Sequence, residues 1–149
     1  FVSEKLEVKK YRVKMKVQTE QTGTEAKEEE FVCEMPGKKV KVAVISADVM
    51  GNGDDELGKV LIKGFLYALS QMKTHVDTIL FYNGGAKLTT EGSDSIEDLK
   101  KMEAEGTEIL TCGTCLKHYG LMEKLLVGKV TDMYTITERM MGADKIIRP

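Results

Sequence analysis

Short runs of β-branched apolar residues alternate with amphipathic segments from Val40 onward, and this alternation constrains the fold more than any other feature of the chain. The first run, Val40 to Ile45, is of the nearly continuous apolar kind that forms strands buried on both faces. Further strands are predicted at residues 78–82, 107–112, 130–134 and 145–147. Strands separated by helices predict a parallel sheet with helices on both faces, so the predicted fold class is α/β.

Helices are predicted between these strands from apolar residues at helical spacing. Asp54 is the candidate N-cap of the first helix, because its side chain can accept a backbone N–H of the first turn. The apolar residues assigned to the core from this helix are Leu57, Val60, Leu61, Gly64, Phe65, Ala68, Leu69 and Met72. The other helices are predicted at 93–105, at 116–126 with a break near Gly120, and at 135–141. Since every apolar residue then has a place in the core, no surplus patch marks an interface.

The first 38 residues differ in character from the rest. Partial alternation of apolar and basic residues predicts a β segment within residues 1–20, and residues 21–38 are polar and acidic, as in a linker. Residues 39–149 form the predicted α/β domain. The 22 basic residues nearly balance the 24 acidic ones, which excludes a generally basic nucleic-acid binder. The longest apolar run is far below the ~20 residues of a membrane span, and no signal peptide is visible, so a cytoplasmic location is expected.

Three loops leave the carboxyl ends of predicted strands and therefore share one edge of the sheet. They cover residues 46–54, 83–90 and 112–118, and ligands of open α/β sheets bind at this edge. The glycines between Gly51 and Gly58 do not keep the spacing of a dinucleotide fingerprint. Acidic residues 54–56 would also repel a phosphate there. The first loop is therefore interpreted as a capped turn, and no cofactor is predicted.

Cys112 and Cys115 form a Cys-x-x-Cys pair in the third of these loops. If a helix begins near Thr114, its dipole and free backbone N–H groups favour a thiolate at Cys112. Such a thiolate can attack a sulfane sulfur or a disulfide. The candidate anion-binding residues around it are Asn83, Gly84, Gly85, Lys87, Gly113, Thr114 and His118. The two adjacent glycines let the backbone pass close either to a ligand or to the loop after Cys112.

Other interpretations of the cysteine pair remain open at this stage. Free cysteines are commonly buried, so the pair can be part of the packing. A zinc site would need two more ligands from Cys33, His75 or His118, and no second paired motif supplies them, so no metal site is predicted. A thioredoxin-type dithiol is the third interpretation, since a resolving thiol three residues away is geometrically reasonable.

Segments 46–59, 81–92 and 112–120 together closely resemble a known family. They are similar to the DsrE-like C-terminal domain of YedF-type, sulfurtransferase-like selenium-metabolism proteins, and the resemblance extends over about residues 40–147. It implies a three-layer α/β/α sandwich with a mostly parallel sheet of about five strands, and a homo-oligomer (dimer, trimer or hexamer). It also implies that Cys112, eight residues before Gly120, carries a persulfide, and it leaves the role of Cys115 open.

The same resemblance suggests that residues 1–20 are the last strands of a TusA-like domain, so the chain is expected to be part of a longer protein. The leading hypothesis is a persulfide or selenium-related carrier, loosely a sulfurtransferase. Cys112 would be its nucleophile and Cys115 its resolving thiol. The expected partner is a sulfur-carrier protein or the chain's own TusA-like domain, with no nucleic acid and no membrane. The alternatives are a non-catalytic oligomeric binding or assembly module and a dithiol redox protein.

Overall fold

A five-stranded parallel sheet forms the centre of the computed structural model, which describes residues 37–149. The strands are β1 Lys41–Ile45, β2 Thr78–Phe81, β3 Glu108–Cys112, β4 Lys129–Thr131 and β5 Lys145–Ile147. Their order is β4-β3-β2-β1-β5, and all four pairings are parallel. The predicted α/β class is confirmed. The predicted β segment, nearly all of the acidic linker and Cys33 lie outside the described residues.

Helices connect successive strands, as parallel pairing requires. They are α1 Asp55–Gln71, α2 Ile96–Ala104, α3 Gly113–His118 and α4 Met133–Met141, together with 3₁₀ helices Asn83–Thr89 and Met122–Lys124. The predicted cap of α1 is confirmed, because the Asp54 carboxylate accepts the N–H of Leu57 at 2.7 Å. Within residues 37–149, no helix is both long enough and apolar enough to cross a membrane.

The two faces of the sheet bury different residues, because successive side chains of a strand point to opposite sides. Ala43 and Ile45 of β1 belong to the larger core cluster, which also contains buried residues of α1 and α2. Val42 and Val44 belong to a smaller cluster with Ile136 of α4 on the other face. Helices therefore cover both faces, and the predicted three-layer arrangement is confirmed.

Several boundaries differ from the sequence prediction. The break predicted near Gly120 is confirmed, since α3 ends at His118 and the chain turns through Gly120, whose φ of +65° suits a glycine. Beyond the break, residues 122–124 form a short 3₁₀ helix instead of a continuing α-helix. The strand predicted at 130–134 ends at Thr131 instead. Asp132 stops it, because its side chain accepts the N–H of Thr135 at 2.8 Å and caps α4.

The buried face of α1 also differs from the prediction. Gly58, Ile62 and Leu66 are buried, whereas Leu57 and Val60 are exposed. The helix carries apolar residues around most of its circumference, so the pattern alone allows either face to be buried. Packing decides the choice, since a Cβ on Gly58 would lie only 2.9 Å from Cβ of Val49 in the preceding loop. The expectation that no apolar patch is left over is therefore wrong.

A bidentate ion pair ties α4 to the sheet. Arg139 donates to both carboxylate oxygens of Glu108 at 2.9 and 3.2 Å, and Thr78 donates to the same carboxylate at 3.3 Å. Arg139 holds the pKa of Glu108 below its ordinary value of 4.5. A carboxyl group whose pKa is lower in the folded state stabilises the fold above its unfolded pKa. That contribution disappears as the pH falls through the folded value.

We predict that Glu108→Gln flattens the acid limb of the stability profile. The wild type loses the Glu108 contribution below pH 4.5, so its free energy of unfolding falls more steeply there than that of the variant. Urea unfolding between neutral pH and pH 3 measures this difference. Glu103→Gln, at an exposed glutamate of α2, is the control. Identical slopes for wild type and Glu108→Gln would contradict the prediction.

Candidate functional site

The 3₁₀ helix Asn83–Thr89 packs tightly on the loop between β1 and α1 at the carboxyl edge of the sheet. A Cβ on Gly85 would overlap the carbonyl oxygen of Ile45, and one on Gly84 would lie 3.1 Å from the Asp48 carboxylate. Only glycines permit this approach. The close approach that the glycine pair permits is made with the end of β1 and the β1–α1 loop.

Cys112 lies at the end of β3 and is almost completely buried. Its residue is 2% exposed, and it packs with Val44, Leu80 and Ile136 in the smaller core cluster. The next residue, Gly113, is also buried, and a Cβ there would lie 2.9 Å from a methyl group of Val130. A bulky donor therefore has no direct access to the Cys112 sulfur in this conformation.

Cys115 lies in the first turn of α3 and is partly exposed. The backbone N–H of Asn83 donates to its sulfur, with 3.0 Å between the nitrogen and Sγ. Cys115 packs against the smaller core cluster, which contains Cys112. Both cysteines are free. The structure therefore brings a partly exposed thiol and one backbone donor to the cluster that holds the buried thiol.

Asn83 is held in an unusual conformation that directs this N–H. Its φ of +49° makes it the one non-glycine residue with a positive φ among residues 37–149, and asparagine tolerates that region better than most residues. The Tyr119 hydroxyl donates to the Asn83 side-chain oxygen at 2.9 Å. Tyr119 was not predicted as a site residue. The available signal was its position four residues after Cys115, which places the two on one side of a helix.

Opposing influences act on the Cys115 thiol. Burial raises its pKa above the ordinary 9.0, the Asn83 N–H lowers it, and the hydrogen bond with Cys112 raises it further. The net direction is upward, so Cys115 is a neutral thiol at pH 7. No cation contributes to the pKa of Cys115. The helix whose dipole the sequence analysis considered, α3, has only six residues.

The two predicted cations, Lys87 and His118, contact other residues of this edge. The Lys87 ammonium pairs with Asp48 at 3.3 Å and lies 5.0 Å from the centre of the Tyr119 ring. The ring of His118 stands edge-on to the same tyrosine at 5.0 Å. Both residues are exposed, as is Thr114. The structure thus brings Asn83 to Cys115 directly and brings Lys87 and His118 to Tyr119.

A cavity of about 450 Å³ adjoins this group of residues. Lys87 and Tyr119 line it on one side, and Lys59 and Lys63 of α1 line it on another. Its remaining wall comes largely from residues 90–95, and neither cysteine lines it. Tyr119 therefore separates the cavity from the thiols while belonging to both.

Metal ligation has no basis in the part of the chain that the structure describes. Within residues 37–149 no group of three or more His, Cys, Asp and Glu side chains is placed to hold an ion. His75 faces Glu105 at 3.6 Å instead.

We predict that Gly85→Ala destabilises the protein by about 1–3 kcal/mol, the usual cost of forcing an atom into a packed site. The added methyl group would push the 3₁₀ helix away from Ile45 and move Asn83 with it. Gly64→Ala is the matched control, because its Cβ would meet no neighbour within 4 Å and alanine favours the helix. Thermal unfolding compares the two. Equal stability of Gly85→Ala and wild type would contradict the packing described here.

We predict that Tyr119→Phe slows alkylation of Cys115 at constant pH by about two- to tenfold, the worth of one hydrogen bond. Without the hydroxyl, the Asn83 N–H is no longer fixed on Sγ, so the thiolate loses its donor. The rate is measured by mass spectrometry of protein treated with iodoacetamide. All variants carry Cys112→Ser, so that Cys115 is the only cysteine in its peptide. Tyr67→Phe, on the exposed side of α1, should leave the rate unchanged. An unchanged rate in Tyr119→Phe would show that the tyrosine does not position the donor.

Comparisons with known proteins agree with this architecture. The chain has 18% identity to MTH1491 of Methanobacterium thermoautotrophicum, a protein of unknown function, with 75% of this chain and all of that chain covered and a TM-score of 0.54. The identity to the ychN protein of E. coli is 15%, with 74% of this chain and 99% of that chain covered and a TM-score of 0.54. The identity to BT1422 of Bacteroides thetaiotaomicron, also a protein of unknown function, is 16%, with 73% of this chain and 94% of that chain covered and a TM-score of 0.52. Such identities show the shared fold alone.

Among curated proteins no significant match to the chain is found. A family profile described as the DsrE/DsrF-like family matches residues 49–149, which is more than half of the chain and includes all three loops of the carboxyl edge except the first residues of the first loop. The chain belongs to the DsrE/DsrF-like family, which is associated with sulfur transfer.

Proposed function

We propose that this protein carries sulfane sulfur as a persulfide on the Cys112–Cys115 pair. The observation that carries the proposal is the packing of a partly exposed free thiol against the cluster that holds a buried one, at the carboxyl edge of the sheet. Unequal exposure suits a carrier, because one thiol can meet a donor while the other protects the cargo from water and stray thiols. The association of the family with sulfur transfer supports the same chemistry.

Cys115 is the thiol that meets the donor in this proposal. Its thiolate attacks the outer sulfur of a persulfide donor R–S–SH, the S–S bond of the donor breaks, and R–S⁻ leaves and takes up a proton. The product is Cys115–S–SH. Because the pKa of Cys115 is raised, this step requires loss of the thiol proton and should accelerate as the pH rises. The Asn83 N–H then stabilises negative charge at this position.

Cys112 is the thiol that keeps the sulfur. Its thiolate attacks the outer sulfur of Cys115–S–SH, the bond between that sulfur and Cys115 breaks, and Cys115 recovers the proton that Cys112 lost. No electrons are exchanged, since the sulfane sulfur only changes its partner. This order keeps Cys112 as the carrier but moves the first nucleophilic attack, which was predicted for Cys112, to Cys115, because the Cys112 residue is only 2% exposed.

A dithiol redox function is the second candidate, and the same packing of Cys115 against the cluster that contains Cys112 favours it. If Cys112 attacks the Cys115 sulfur instead of the outer one, a Cys112–Cys115 disulfide forms and HS⁻ leaves. The two thiols then supply the two electrons that reduce the sulfane sulfur to sulfide. A persulfide and a disulfide differ in mass, so one experiment separates the two functions.

The proposed donor or acceptor is a small sulfur-carrier protein, as expected from the resemblance to YedF-type selenium-metabolism proteins. The cavity beside Tyr119 offers room for a chain segment that leads to such a partner's reactive sulfur. Three lysines and three acids line it, and Lys63 and Lys87 pair with Asp94 and Asp48 of the same lining, so its charge favours neither an acidic nor a basic segment. Assignment to the YedF type is part of this proposal.

We predict that reduced protein gains one sulfur atom after incubation with inorganic polysulfide, measured by intact-mass spectrometry. Cys115→Ser should slow loading by at least about tenfold, because the accessible thiol is lost. Cys112→Ser should still load but lose its sulfur faster, because the persulfide then stays at the exposed position. Cys33→Ser, outside the pair, is the control and should behave as wild type.

Loss of two hydrogens without gain of sulfur would replace the carrier function with the dithiol function. Equal loading and equal lifetime in wild type and in the Cys112→Ser/Cys115→Ser double variant would refute both, because the sulfur would then lie outside the pair.

A further inference from the structure

We propose that the cavity beside Tyr119 binds a small zwitterion of the α-amino acid class, which carries a carboxylate, an ammonium group and an apolar body. The cavity has a volume of about 450 Å³ and lies between α1, the 3₁₀ helix Asn83–Thr89 and residues 90–95. That volume is in the range of small-molecule sites. The proposal does not depend on the persulfide chemistry, because neither cysteine of the pair lines the cavity.

Ser95 gives the cavity a polar group without a partner. Its residue is only 2% exposed, and it is the N-cap of α2, yet its side chain accepts no N–H of that helix. Within residues 37–149 the Ser95 hydroxyl makes no hydrogen bond, although every fully buried side-chain oxygen or nitrogen there has a partner. The hydroxyl is therefore reached from the cavity that it lines. Such a group gains a hydrogen bond when a ligand binds.

The hydroxyl of Ser93 lies on the same turn. Its oxygen accepts the backbone N–H of Ser95 at 3.2 Å, so its own proton is left to donate. The turn is compact, since the Ser93 N–H donates to the carbonyl of Thr90 at 3.2 Å. Two hydroxyl donors on one turn suit an acceptor with two oxygens, and a carboxylate is such an acceptor.

The charged side chains of the lining form pairs and leave one charge of each sign. Two ion pairs use four of them, with 3.4 and 3.3 Å between nitrogen and oxygen: Lys63–Asp94 and Lys87–Asp48. Lys59 and Glu91 also line the cavity, and neither has an ion-pair partner among the residues that the structure describes. One free cation and one free anion favour a ligand that carries both charges over a simple anion or cation.

The placement of these groups suits an α-amino acid. Its ammonium and carboxylate are attached to one carbon atom, so the groups that bind them must also be neighbours. Glu91 and Ser95 lie at the two ends of the same turn. Lys59 is one helical turn before Lys63, whose ammonium reaches Asp94 of this turn, so both lysines lie on the side of α1 that faces it.

The rest of the wall suits an apolar body. Ile62 and Leu88 are buried and line the cavity, together with the half-buried Leu121. An aliphatic side chain of the ligand would contact these residues and bring no further charge that needs a partner. A ligand of this kind would also compete with the partner segment proposed above, because both occupy the same cavity.

L-Leucine is the probe for this site, added to about 20 mM while backbone amide NMR spectra of the whole chain are recorded. Most charged side chains of the lining are exposed, so we expect a dissociation constant of about 1 mM. Amide shifts should change at residues 91–95 and around Lys59. L-Leucinamide lacks the carboxylate and N-acetyl-L-leucine lacks the ammonium group, so each should bind at least about tenfold more weakly.

Substitutions then assign each charge to its partner. Ser95→Ala should weaken leucine binding by about three- to tenfold, the worth of one hydrogen bond. Lys59→Gln should reduce the preference for leucine over leucinamide, and Glu91→Gln the preference over N-acetyl-L-leucine. Lys73→Gln and Glu103→Gln, at exposed positions outside the lining, are the matched controls and should keep both preferences. The amide spectrum of each variant also reports whether it is folded.

Absence of shift changes at about 20 mM leucine would overturn the proposal. So would shift changes centred away from residues 59 and 91–95, or equal binding of the three probes. Preferences that survive both Lys59→Gln and Glu91→Gln would overturn it as well, because the ligand charges would then have other partners. Leucine carries no sulfur, so each of these results is independent of sulfur loading.

Discussion

The close approach of Gly85 to the carbonyl of Ile45 is the contact on which the rest of the edge depends. It seats the 3₁₀ helix Asn83–Thr89 on the loop that follows β1, at a separation that any side chain would forbid. The seated helix buries the Thr89 hydroxyl against that of Thr111 at 2.9 Å, one residue before Cys112. The loops that follow β1, β2 and β3 are thereby held together by packing and hydrogen bonds.

Rigidity at this edge has a chemical consequence at Cys115. A single backbone N–H stabilises its thiolate, and Asn83 can present that donor only from the left-handed conformation that Tyr119 and the seated helix maintain. The donor opposes burial and the neighbouring thiol, both of which raise the pKa of Cys115. The resting site therefore holds a protonated thiol beside a donor that is ready for negative charge. Charge that forms there is met without rearrangement of the backbone.

The sequence was sufficient for the parts of the fold that depend on local chemistry. Runs of β-branched residues indicate buried parallel strands, so the bounds of β1 were predicted to within one residue. The Asp54 cap was predicted because carboxylates accept the free N–H groups at the start of a helix. The edge formed by the three loops follows from the parallel topology. The break of the helix near Gly120 was also predicted, whereas the 3₁₀ helix at residues 122–124 was not.

The parts that could not be predicted depend on tertiary contacts. Nothing in the local pattern says that Gly85 lies against the carbonyl of Ile45, or that Lys87 pairs with Asp48. The unequal burial of Cys112 and Cys115 also depends on tertiary contacts. One cysteine ends β3 and the other lies three residues later, and they differ in what packs over them. The largest difference from the prediction is the face of α1 that is buried. A helix that is apolar on two sides can pack either side against the core, and the other side then remains on the surface.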